Sequence, residues 1–154
     1  MAQTSTLDLL DGVEEIVAQV ELNRERPSVV NKLAPEGGDW HPQRLEATIT
    51  LSTEVNPKKP TIIDVNHSVT VKLFLYQIAE GAQWGARLRE AYQWFDQLVE
   101  AITRKSNIGL KGTVANSQLG IVPNPEGVPV VNIDDHGWLN VCITTSAVQM
   151  RPRT

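Results

Sequence analysis

The most regular stretch of the chain alternates: Leu45, Ala47, Ile49, Leu51 and Val55 are separated by Glu46, Thr48, Thr50, Ser52 and Glu54. That is the period of a β-strand with one wet face. A second alternating run places Ile63, Val65, Val69, Val71, Leu73 and Leu75 against Asp64, Asn66, Ser68, Thr70 and Lys72. Between them stand Asn56, Pro57, Lys58, Lys59 and Pro60, whose two prolines and two lysines predict a hairpin turn protected against accidental pairing. Phe74 and Tyr76 break the polar phase of the second strand, so its second face is expected to be covered there.

Two segments carry the helical period instead. Leu9, Leu10, Val13, Ile16, Val17 and Val20 recur at helical spacing behind Ser5 and Asp8, an acidic variant of the capping arrangement. This predicts an amphipathic helix ending before Pro27, with acids in its first turns and Arg24 and Arg26 at its end, as the helix dipole favours. After Gly81, the residues Trp84, Leu88, Ala91, Phe95, Leu98 and Ile102 step by threes and fours, the pattern of the main core helix. Glu100 and Arg104 are spaced for an i,i+4 pair. On this phase Trp84 is core, whereas Trp94 falls outside the stripe and is a candidate for a contact surface.

The remaining segments read as loops and short strands. Residues 31–43 hold two prolines and two glycines without periodicity, a loop with Trp40 as its anchor. In the last third, glycines and prolines punctuate β-favouring runs at about 111–121, 128–133 and 138–150. The order predicts a single α+β domain over residues 1–154, a mostly antiparallel sheet packed against one long core helix, with an N-terminal amphipathic helix.

Composition narrows the function classes. With 41% hydrophobic and 21% charged residues in 154, the chain has the makeup of one folded domain. The net charge of −4 argues against a broad nucleic-acid-binding face, and Lys58, Lys59, Arg151 and Arg153 are too scattered to make one. No apolar run is long enough to span a bilayer, and the acidic N-terminus is unlike a signal peptide, so a soluble chain in a reducing cytoplasm is expected. The single cysteine, Cys142, excludes an internal disulfide framework.

The residues with chemical potential read more simply as structure. Asp134, Asp135 and His136 before Gly137 have the composition of a turn, with no second ligand cluster to make a metal site. His41 falls in a loop, and His67 in the apolar phase of a strand. Cys142 stands without a neighbouring base, as a structural thiol would. The nucleophile-elbow, phosphate-loop and dinucleotide motifs are absent from the sequence. No catalytic, metal or cofactor residues are expected, and the protein is expected not to be an enzyme. A small metal-dependent hydrolase would have to be built on Asp134, Asp135 and His136.

The acidic helix LDLLDGVEEIVAQV, the hairpin strand VNHSVTVKLFLY, the core helix and the closing strand GWLNVCITTSAVQMRP together resemble, in layout, the tail-terminator proteins of long-tailed bacteriophages. The resemblance implies a structural virion protein, synthesised in the host cytoplasm and located in the tail or neck. It implies a homohexameric ring that caps the tail tube, stops its polymerisation and meets the head connector, with the tail-tube protein and the connector or stopper as partners. DNA would pass through without tight binding. A head-tail stopper, another neck component or a tail-tube subunit is the alternative. The candidate partner-facing residues are Asn56, Pro57, Lys58, Lys59 and Pro60, Trp94, and Pro123, Pro125 and Pro129. Surplus apolar faces at residues 63–76 and 138–150 are expected to meet between subunits.

Overall fold

The computed structural model describes residues 6–31, 43–59, 62–78, 84–104 and 120–152. They form an α+β structure of two helices and one six-stranded, mostly antiparallel sheet. In chain order the elements are α1 (Thr6–Ala18), β1 (Ser28–Asn31), β2 (Glu46–Lys59), β3 (Ile62–Gln77), α2 (Trp84–Thr103), β4 (Gly120–Val122), β5 (Val131–Ile133) and β6 (Trp138–Pro152). The sheet order is β1-β2-β3-β6-β4, and β5 lies with β4 along the outer edge of β6. β1 is parallel to β2, and the other pairings are antiparallel.

Alternation along the three long strands separates two faces. Ala47, Ile49, Val69, Val71, Leu73, Val141 and Ile143 share one core with Leu9, Leu10, Val13, Ile16, Val17 and Val20 of the N-terminal segment and with Ala91, Trp94, Leu98 and Ile102 of α2. Both helices therefore cover the same face, and α1 is as much a core helix as α2. Each large aliphatic side chain so buried contributes about 1.5–3 kcal/mol relative to exposure. Past this core, β2, β3 and β6 continue together as a three-stranded arm to Lys59, Ile62 and Pro152.

A bulge between Phe74 and Tyr76 explains the broken phase of β3. Before it, Phe74 turns to the face opposite the helices and meets Trp138 edge-on, with ring centroids 6.3 Å apart. After it, Tyr76 turns toward α2 and its hydroxyl donates to Glu90 at 2.7 Å. Arg44 donates to the same hydroxyl at 2.8 Å and to Glu25 at 2.6 Å, and the guanidinium groups of Arg44 and Arg87 lie over the Tyr76 ring. The Glu25 hydrogen bond raises the Arg44 pKa and lowers that of Glu25. This cluster joins the segment before β1, the entry to β2, the end of β3 and the first half of α2.

Several expectations are corrected. Helix α1 ends at Ala18, and Leu22 and Glu25 then pair across a two-residue turn in which Asn23 and Arg24 have positive φ. Arg24 and Arg26 thus stand beyond the helix rather than at its end. The short strand β1 is paired in the chain although its four residues show no alternation worth reading. Residues 56–59, expected as a turn, belong to β2, because each finds a partner or a bulge position against β3. Pro60 lies outside the described residues, as do Ser5, Trp40, His41 and the expected strand residues 111–119. The expected strand 128–133 is reduced to Val131–Ile133, and residues 128–130 run irregularly from a 3-10 turn over Pro125–Gly127 into it. Glu100 and Arg104 do pair, at 3.6 Å.

The two tryptophans of α2 exchange roles: Trp94 is 1% exposed and Trp84 is 43% exposed. Spacings 91-94-98 and 91-95-98 are equally helical, and the packed helix turns Trp94 into the core with Phe95 at its margin. Trp94 is accordingly not partner-facing. Its indole N–H is buried without a hydrogen-bond partner among the described residues. Trp94→Ala is expected to cost about 3–5 kcal/mol by cavity formation. Trp84→Ala, at a largely exposed position, should stay within about 0.5 kcal/mol of the parent protein. Urea unfolding of the two variants checks this assignment of the helix face.

Candidate interaction surface

The expected surplus of apolar surface at residues 63–76 and 138–150 is covered within the chain where side chains are described. Val65, Val69, Val71, Leu73, Phe74 and Leu75 are buried, as are Leu139, Val141, Cys142 and Ile143. The apolar side chains left in water are elsewhere. Four of them, Val30, Ile121, Val130 and Ile133, are each 37–40% exposed and stand on or beside the outer strands β1, β4 and β5. Periodicity could not find them, because short edge strands carry too few residues for a period.

The edge at β6 is built in an unusual way. β4 pairs with residues 144–146 of β6 and β5 with residues 139–141, in the same direction, so the two are halves of one edge strand. Residues 123–130 leave the ladder between them. Asn124 holds this excursion down: its side-chain amide donates to the Val128 and Cys142 carbonyls at 3.0 and 2.9 Å, and it accepts from the Thr144 hydroxyl at 2.9 Å. The Cys142 N–H donates to the Val130 carbonyl at 2.8 Å. Asn124 therefore supplies by side chain the partner that a regular strand would supply by backbone. Pro123, Pro125 and Pro129 are exposed along the excursion. The Val128 N–H donates to the Pro125 carbonyl, and the Asn132 amide to that of Pro129. The loop is thus fastened from within.

The arm contributes a second accessible region. Ser52, Thr53, Glu54 and Val55 are exposed on β2. Asn56, Pro57, Lys58 and Lys59 follow them to the end of the strand. These residues stand on β2 and the excursion on the outer edge of β6, with β3 between the two strands.

The groups with chemical potential take structural positions. Asp134 accepts the His136 and Trp138 N–H groups at 2.9 Å, and Gly137, with φ of 80°, completes the turn into β6. His67 is buried and shares a 3.0 Å hydrogen bond with Thr53. Among the described residues, no group of three or more His, Cys, Asp or Glu side chains is arranged to hold a metal ion. Cys142 falls in the polar phase of β6, yet it is buried on the face opposite the helices, and that burial pushes its thiol pKa up against a smaller lowering by Lys72.

Two outcomes follow. Asn124→Ala removes the side-chain partner of the Cys142 carbonyl and leaves the Thr144 hydroxyl with Thr70 alone, and is expected to cost about 1–3 kcal/mol. Limited proteolysis should then cut within residues 123–130 faster than in the parent protein. For Cys142, the unfolded thiol ionises near its ordinary value of about 8.5 while the folded thiol holds its proton longer. The native state then binds more protons, so stability falls as pH rises above that value, by at most about 1.4 kcal/mol per pH unit, until the folded thiol ionises too. Urea unfolding between neutral and alkaline pH should show this slope in the parent protein and a smaller one in Cys142→Ala.

No protein-family model matches this chain, and no curated protein matches it.

Proposed function

We propose that this chain is a structural assembly subunit, a tail terminator that forms a ring of six on the last layer of a phage tail tube. The observation that supports this reading best is the distribution of apolar surface. Among the described residues the core under the helices is sealed within one chain, and both outer edges of the sheet present exposed β-branched side chains, the other exposed large apolar residues being Val55 on the arm and Leu7, Trp84 and Tyr92 on the helices. A subunit that meets copies of itself on two opposite sides needs that arrangement. Capping the tube, halting its growth and contacting the head connector are the functions that the layout resemblance adds. The excursion at Pro123, Pro125 and Pro129 and the arm end at residues 56–59 are the surfaces proposed for tube and connector, with Pro60 kept from the sequence reading. No catalytic role is assigned. The site of action is the virion neck, after synthesis in the host cytoplasm.

Imaging of assembled particles tests the reading: a single ring at the head-proximal end of each tail is expected, and loss of the protein should leave tails of uncontrolled length. A helical array of the chain along the tail would reject termination and favour a tail-tube subunit. The net charge of −4 also sets an expectation for DNA. A ring around the DNA channel should bind duplex weakly and with strong salt dependence. Filter binding that gave sub-micromolar affinity at physiological salt would point to a DNA-gripping neck component instead.

A further inference from the structure

The two outer edges of the sheet are matched to each other. Pairing fixes lateral rows across the molecule: Ser28, Glu46, Phe74, Asn140 and Asn132 form one, and Val29, Ala47, Leu73, Val141 and Val131 the next. In the following row Val30 pairs through Thr48 and Lys72 to Cys142, whose N–H bonds to Val130. The exposed side chains of Val30 and Val130 are thus level on opposite edges. Strand direction matches as well. β1 runs with β2 and β6, whereas β5 runs against β6, so a second copy set alongside in the same orientation brings β1 and β5 together antiparallel. Among the described residues, no strand occupies the outer side of either one.

Charge selects between the two ways of joining such edges. Residues 120–137 contain Glu126, Asp134 and Asp135 and no lysine or arginine. Beside β1 stand the exposed Arg24 and Arg26, the latter only 3.8 Å from Glu21, while Glu25 is engaged by Arg44. Twofold pairing of like edges would set arginines against arginines or acids against acids. Pairing of unlike edges carries the row register onward from Val30 against Val130 to Arg26 against Asp134.

From these matches we infer that the chain binds a second copy of itself head to tail, β1 of one copy adding antiparallel to the β5 edge of the next and continuing the sheet across the boundary. This deepens the ring reading and rests on it for closure, since head-to-tail contact closes into a ring or runs on as a helix.

Cysteine pairing reads the contact directly. Val30→Cys and Val130→Cys chains, one carrying a mass tag, are mixed in a thiol-disulfide buffer; Cys142 is buried and common to both. The mixed dimer is expected to exceed either homodimer by about tenfold or more, through the effective concentration that docking confers. Arg26→Glu should remove the excess, and Asp135→Arg on the facing chain should restore it, Asp135 being the exposed acid next to Asp134, whose own carboxylate is held in the turn, with circular dichroism confirming that each variant folds. Homodimers equal to the mixed species, or a yield no higher than for Val30→Cys with Ser52→Cys, would overturn the inference. Mixed cross-links in an open fibre would keep the edge contact and reject termination. Closed rings on tails that resist the 30–130 cross-link would keep termination and reject this contact.

Discussion

The constraint on which this structure depends is the double pairing of β3. From Ile62 to Phe74 the strand is matched by β2 on one edge and by β6 on the other, and the pairing with β6 continues to Gln77. With both edges committed, a slip of one residue would carry Val69, Val71 and Leu73 out of the core and put Thr70 and Lys72 in their place. The register is therefore held by two ladders and by the core at once. The helices are positioned by the face this register produces, and the Phe74 and Trp138 contact by the opposite one.

Where the double pairing ends, the chain uses side chains and backbone strain to change direction. Leu45 has a φ of 57°, uncommon for leucine. It keeps that conformation because its N–H bonds to Phe74 and its carbonyl accepts from Ser28, which links β1 and β3 through a single residue. Conformations of this type cost on the order of 1–3 kcal/mol and persist where the surroundings over-determine them. The Arg44 cluster stands beside it. An exposed ion pair such as Arg44 with Glu25 contributes little by itself, but Tyr76 fixes the geometry of both guanidinium groups and joins them to Glu90.

The long strands, the helices and the turn before β6 were legible in the sequence because each repeats its signal over many residues or carries strong turn chemistry. Asp134 and Gly137 show the latter case. β1 was not legible: Ser28, Val29, Val30 and Asn31 are too few for a period, and their strand identity comes from β2, which is distant in sequence. Trp94 was misread because a helical stripe locates a face only to within about one position until a packing partner is known. Cys142 and Thr144 fall in the polar phase of β6. Both are nevertheless buried and both bond to Asn124, a residue that local pattern gives no reason to place over β6. The exposed apolar residues of the outer edges escaped for the same reason as β1.

The excursion at 123–130 has a consequence for how such a protein can diverge. Its two ends are fixed by β4 and β5 on the same strand, so its length is decoupled from the sheet register. Lengthening a loop with anchored ends costs only about 0.6 kcal/mol per doubling. Most of the segment can therefore be exchanged, extended or shortened, provided that an asparagine remains at position 124 to meet the Cys142 carbonyl and the Thr144 hydroxyl. One residue anchors the scaffold, and the others are free to be rewritten for a new neighbour while the rest of the sheet stays the same.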